Sequence, residues 1–148
     1  MKEKDIEIIK HLRKNARISL ADISRDTGMP ISTVFDKLNK LENNLIRKHT
    51  TLLDFPALGY ALKVNFLLKC KDKDKTKEFL MNHKNVNTLY RLNNGMDFLV
   101  EVIFKDMNEM EDFSEKLDEL GMQKNERYHI IEELKKEDFL INEKGKTK

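Results

Sequence analysis

Residues 30–43 read PISTVFDKLNKLEN. Ile31, Val34, Leu38 and Leu41 recur at helical spacing and fall on one side, while Ser32, Thr33, Asp36, Lys37, Asn39 and Lys40 are left for solvent or a groove. Taken alone, such a segment is an ordinary amphipathic surface helix. What flanks it decides the fold.

Upstream, Asp5 to Asn15 predicts a first helix, with Ile8, Ile9 and Leu12 on one face and Lys and Arg on the other. Ser19 begins a second: its hydroxyl can cap free N–H groups, Asp22 completes an S-x-x-D box, and Leu20 and Ile23 point inward. Gly28 ends that helix by taking a left-handed conformation, and Pro30 keeps it from running into the third. Two short helices and a tight glycine turn leading into a third are the layout of a helix-turn-helix. Downstream, Asn43-Asn44 is expected to provide a left-handed C-cap. Residues 45–54, LIRKHTTLLD, read as extended. There Arg47, Lys48 and His49 follow a phosphate backbone as a wing does, or, with equal weight, decorate a solvated strand edge.

Residues 55–59, FPALG, bracket a turn with Pro and Gly and mark a boundary. The expected organisation is a DNA-binding domain over 1–54, a linker over 55–60, a second domain over 61–141, and a polar, disordered tail, NEKGKTK, over 142–148. In the second domain Leu62, Val64, Phe66, Leu68 and Cys70 alternate with Lys63, Asn65 and Lys69, as a half-buried strand requires. The KDKDK run is a solvated loop or helix start. Thr76 to His83 predicts a helix burying Phe79 and Leu80, and Val86, Thr88, Tyr90 and Leu92 a strand. Asn94-Gly95 is a hairpin signal, returned by Phe98, Val100, Val102 and Phe104. Asp106 and Glu109 box the start of a helix that turns Met107, Met110, Phe113, Leu117 and Leu120 to the sheet, and Gly121 ends it. Tyr128, Ile130 and Leu134, with Ile131 on the reverse, read as a last strand. The order βαββαβ with right-handed crossovers gives a four-stranded antiparallel sheet with two helices on one face, a ferredoxin-like sandwich, so the whole chain is α+β. Leu67, Leu89, Leu99 and Ile103 fall on the opposite face, for which a second copy is the expected cover.

Composition narrows the function classes. A length of 148 residues suits one ordinary domain or two small ones, and 36% charged residues against 39% hydrophobic suit a helix-rich chain with well-solvated faces. The net charge of +2 is nearly neutral. Residues 1–60 hold 11 Lys and Arg against 8 Asp and Glu, and the remainder 17 against 18, a lean toward a basic N-terminal third. The lone Cys70 rules out an internal disulfide framework and fits a reducing cytosol. With no membrane-length apolar run and no signal-peptide core, the expected location is the cytoplasm. His11, His49, His83 and His129 have no metal-like spacing, and no activated nucleophile or carboxylate pair stands out, so no catalytic residue, metal or cofactor is expected.

Along its length the chain resembles the Lrp/AsnC family, the feast/famine regulators. The resemblance is carried by Asp5, Ile8, Ile9, Leu12, Asn15 and Arg17 in D-x-x-I-I-x-x-L-x-x-N-A-R-I-S. It continues with Leu20, Ala21, Ile23, Gly28 and Met29, S-T-V at Ser32 to Val34, and L-N-K-L-E at Leu38 to Glu42. Asp54, Leu58, Gly59 and Tyr60 match the family's link into its sensor domain, and Gly95 with Asp97 its loop between the middle strands. The chain departs from the family at Pro30, where Ser is common and would cap the helix; at Asp36, where a basic residue is common; and at Asn44, where Gly is.

The resemblance implies a transcription regulator with a winged helix-turn-helix and a ferredoxin-like effector and assembly domain. By that resemblance it would act as a homodimer, or a tetramer or octamer, on double-stranded DNA, with recognition helices spaced about 34–36 Å apart or a multiple of it. Ser32, Thr33 and Lys37 would lie nearest DNA, with Asp36, Asn39 and Lys40 beside them. Arg17, Arg25, Arg47 and Lys48 are phosphate candidates, each with an even alternative as plain surface charge. A small effector, often an amino acid in this family, would sit between sensor domains near Gly95, Met96 and Asp97, where the alternative is a bare hairpin turn. Two other readings compete: a siroheme decarboxylase-like enzyme on the same fold, and an architectural DNA-coating protein without effector.

Overall fold

The structure, a computed structural model, describes residues 2–141; the tail expected over 142–148 lies outside them. The described chain forms two compact units, residues 53–133 and residues up to 52 together with those from 134 on.

The first unit is three helices, α1 (Glu3–Lys14), α2 (Leu20–Thr27) and α3 (Ile31–Asn44). Ile8, Ile23, Met29, Val34 and Leu41 form its buried centre, with Ile9, Leu12, Ile18, Leu20 and Ile46 packed against them. The start and stop signals act as written. Ser19 Oγ accepts the Asp22 N–H at 3.0 Å, and Gly28 sits at φ +76°, where a β-carbon would strain the backbone. Pro30 opens α3 without a side-chain cap, and its carbonyl takes the Val34 N–H at 3.0 Å. The C-cap differs from expectation: α3 runs through Asn44, and Leu45, not a left-handed Asn, caps it at φ −127°. Leu41 explains this, since its carbonyl accepts both the Leu45 and Ile46 N–H groups at 2.8 Å and holds the last turn without a reversal. Residues 46–54 enter no ladder among the described residues. At the far end of the chain, Arg13 Nε donates to the Phe139 carbonyl at 3.0 Å and its guanidinium pairs with Glu137 at 3.3 Å, which ties residues 134–141 to α1.

The second unit is β1 (Leu62–Cys70), α4 (Lys73–Asn82), β2 (Val86–Arg91), β3 (Phe98–Phe104), α5 (Met107–Leu120) and β4 (Met122–His129), preceded by a 3-10 turn at Pro56–Leu58. The sheet is antiparallel in the order β2-β3-β1-β4, the ferredoxin-like topology. Alternate residues of β1 and β3, Val64, Phe66, Leu68, Phe98, Val100, Val102 and Phe104, meet Leu80 of α4 and Met110, Phe113 and Leu117 of α5. Phe113 is the hub, with its ring 5.2 Å from Phe66 and 5.5 Å from Phe104.

Five readings change. The helix α4 starts at Lys73, inside the charged run, because Asp72 accepts the Lys75 N–H at 3.1 Å and caps it there. Leu89 faces the core: an irregularity between Val86 and Thr88 shifts the strand's phase, so Leu89 opposes buried Val100 and Tyr90 turns outward. Ile103, on the outer face opposite Lys63, is nonetheless buried, since the 55–60 turn lies over that corner. There Phe55 meets Lys63 Nζ at 5.8 Å and Tyr60 meets Lys105 Nζ at 5.6 Å. Met107, at the first turn of α5, is exposed. The last strand is MQKNERYH, not the apolar run after it, and Ile131 and Leu134 stand 92% and 86% exposed. As an edge strand, β4 places the guanidinium of Arg127 rather than an aliphatic residue over the Phe66 ring, 5.8 Å away.

Candidate nucleic-acid interface

The outer surface of α3 follows from which residues its inner face consumes. Val34 and Leu41 are buried and Leu38 half-buried. This leaves Ser32, Asp36, Asn39 and Lys40 in solvent, as expected, with Thr33 half-buried at the margin. Two readings are corrected. Lys37 turns toward α1 and pairs with Asp5 at 3.2 Å, both side chains about a fifth exposed, so its charge clamps two helices instead of facing outward. Ile31 is not part of the buried stripe: it stands 52% exposed, on the flank of α3 beside buried Val34 and Leu41.

The residue that sequence reading passed over is Phe35. Its ring is 51% exposed on the outer surface, three residues from Ser32 and four from Asn39, hence in the same helical row. The signal was present, since an aromatic residue sat off the apolar stripe of the segment.

The basic candidates separate by what already holds them. Arg25 is engaged by Asp22 at 2.9 Å and Asp26 at 3.5 Å on its own helix. Arg17, Arg47 and Lys48 are exposed, and beside the last two His49 lies 3.4 Å from Glu42.

In the second unit the hairpin loop has the geometry its sequence predicts. Asn94 at φ 58° and Gly95 at φ 81° make the turn, closed by the Met96 N–H on the Asn93 carbonyl and the Leu92 N–H on the Asp97 carbonyl. Asp97 itself points inward. One carboxylate oxygen accepts the Cys70 N–H at 2.7 Å and the other lies 3.4 Å from Lys73 Nζ. The Cys70 N–H, and secondarily Lys73, hold its carboxyl below the usual range against the opposing effect of burial. The hairpin is thereby latched to the end of β1. Burial, aided by Asp97, raises the Cys70 thiol. At the other end of the sheet a cleft of about 350 Å³ is lined by Phe55, Tyr60, Asn85, Ile103, Lys105 and Glu109. His83 is wedged against Phe79 and Phe113, and burial, then Lys116 and Lys84, lower its pKa. Among the described residues no group of three His, Cys, Asp or Glu could hold a metal, and no helix is long and apolar enough to cross a membrane.

Known proteins match both units. Residues 1–44 fit a winged helix-turn-helix DNA-binding family and residues 64–139 the Lrp/AsnC ligand binding domain. The transcriptional regulator FL11 of Pyrococcus abyssi is 31% identical over 122 residues, covering 80% of this chain and 79% of that protein. The regulator LrpC of Bacillus subtilis is 24% identical over 115 residues, 76% of this chain and 80% of its own. In three dimensions the chain is similar to Bacillus subtilis LrpC, at TM-score 0.82 and 20% identity over 91% of this chain and 97% of that one. It is similar also to a transcriptional regulator of Neisseria meningitidis solved as an L-Met complex, at TM-score 0.82 and 23% identity over 92% and 93%.

Proposed function

The chain belongs to the Lrp/AsnC family of DNA-binding transcriptional regulators, and from that premise we propose that it acts in the cytoplasm as a homodimer binding operator DNA through α3, without catalysis of its own. The observation that carries this is the exposed row on α3. A helix whose inner side is fixed by Val34 and Leu41 presents Ser32, Asp36, Asn39 and Lys40 to solvent, in reach of base edges and phosphates. Arg17, Arg47 and Lys48 add phosphate contacts that position the unit without reading sequence. Asp36 would favour the positive end of α3 or accept from a cytosine amino group.

The outer face of the sheet supports the dimer. Leu67 opposes Leu99, Leu99 opposes Tyr90, and Tyr90 and Tyr128 are more than half exposed. A second copy laid on this face would bury them. An amino-acid effector would sit near Gly95, Met96 and Asp97, as L-Met complexed with the Neisseria regulator encourages. Asp97, held inward by the Cys70 N–H and Lys73, would serve by fixing the loop that carries Gly95 and Met96.

The test is a fluorescence-anisotropy titration of the full chain against its own promoter region and a scrambled duplex of equal length at near-physiological salt, repeated with an amino-acid pool. A preference of about 10³ or more for the promoter establishes the specific regulator. Equal binding with a steep salt dependence replaces this reading with an architectural role, and no binding to either duplex overturns it.

A further inference from the structure

We propose that Phe35, with Ile31 one turn before it, reads thymine methyl groups in the major groove and so makes the operator preference of this chain depend on T at the positions beneath them. The inference rests on the DNA-binding reading of α3 and names a contact that polar side chains cannot supply. Both side chains are about half exposed and lie outside the core cluster of the first unit. They are four residues apart and therefore stacked on one helix face, and Ser32 and Asn39 border them in the same row.

A phenyl ring and a branched alkyl group neither donate nor accept hydrogen bonds at a base edge. In the major groove the one apolar feature a base pair presents is the C5 methyl of thymine, against which Phe makes an apolar contact. Phosphates and the carbonyl and amino edges of the other bases would be desolvated by the ring without compensation. Phe35 therefore both favours T below it and penalises a G·C pair there. Ser32 and Asn39 are left to hydrogen-bond the neighbouring pairs, and Asn is suited to the paired donor and acceptor of adenine.

Duplexes bound by the full chain are selected from a randomised pool, and the best is resynthesised with single thymines replaced by deoxyuridine, which removes the methyl alone. Anisotropy titrations at fixed salt then compare wild type, Phe35→Ala and Phe35→Leu. Wild type is expected to weaken about fourfold for each contacted methyl lost, the worth of one buried carbon group, at one or two positions of a half-site and nowhere else. Phe35→Ala is expected to bind the thymine duplex correspondingly less well and to be indifferent to deoxyuridine at those positions, while Phe35→Leu retains part of the discrimination. Circular dichroism checks that both variants keep the helices, which a change outside the core should not disturb. Wild type binding both duplexes equally, or Phe35→Ala losing as much on deoxyuridine as wild type, overturns the proposal while leaving DNA binding intact; an exposed Phe35 would then serve a protein partner. A pool from which no duplex is retained, even at low salt, overturns the DNA-binding reading itself and this proposal with it.

Discussion

Replacing Asp97 is expected to weaken the sheet unit in two graded steps. The carboxylate is nearly buried, one oxygen 2.7 Å from the Cys70 nitrogen and the other 3.4 Å from Lys73 Nζ. Asp97→Ala leaves the N–H of buried Cys70 without an acceptor, at about 1–3 kcal/mol, and removes a charge-assisted bond. The ion pair adds little, since Lys73 is mostly in solvent. The expected loss is about 2–3 kcal/mol. Asp97→Asn can still present an oxygen to Cys70, so only the charge assistance goes, about 1 kcal/mol. The pH dependence has a definite sign. Because the folded carboxyl titrates below its ordinary 3.8, the stability it confers is fully present above that value and disappears as pH falls through the lower, folded pKa. Wild type and Asp97→Asn should therefore converge in acid. Urea unfolding at fixed protein concentration, followed by tyrosine fluorescence, isolates the effect. The chain has no Trp, and its tyrosines, Tyr60, Tyr90 and Tyr128, all lie in the sheet unit. Asp97→Ala within about 0.5 kcal/mol of wild type at pH 7, well under the penalty for an unpaired buried N–H, would refute the latch. A deficit in Asp97→Asn that stayed constant into acid would refute the charge argument.

Gly28→Val should cost about 1–2 kcal/mol, because the position needs φ +76° although no atom lies within 4 Å of the added β-carbon; a melt of the helical signal checks it, and Gly28→Asn should recover part of the loss. Lys40→Ala should lower the salt slope of DNA binding by about 1, whereas Lys37→Ala, tied to Asp5, should leave the slope unchanged. If both variants change it equally, Lys37 leaves Asp5 on DNA. Leu99→Asp places a charge in the middle of the outer face and should convert the dimer to monomer in sedimentation; a persistent dimer would place the interface elsewhere.

Local signals in this sequence fixed local structure. Ser19 and Asp22, Gly28 before Pro30, Asn94-Gly95, and Asp106 with Glu109 each act within a few residues and therefore need no knowledge of the rest of the chain. The alternation of β1 and β3 was equally legible, because central strands buried on one face must alternate. Those elements in that order sufficed for the helix-turn-helix and the βαββαβ sandwich, while the family came from the resemblance of particular residues, such as Ser32 to Val34 and Leu38 to Glu42. What the sequence left open are properties of neighbours in space. The strand β4 carries no apolar period because an edge strand over Phe66 can set the guanidinium of Arg127 on the ring. The inward turn of Leu89 hangs on an irregularity of pairing with β3, and the burial of Ile103 on a turn more than forty residues earlier in the chain. On α3, helical spacing alone assigned Ile31 to the core and Lys37 to the surface. Only the packing of α1 beside α3 decided the reverse, giving Lys37 a partner in Asp5 and leaving Ile31 and Phe35 in solvent on the flank beside buried Val34.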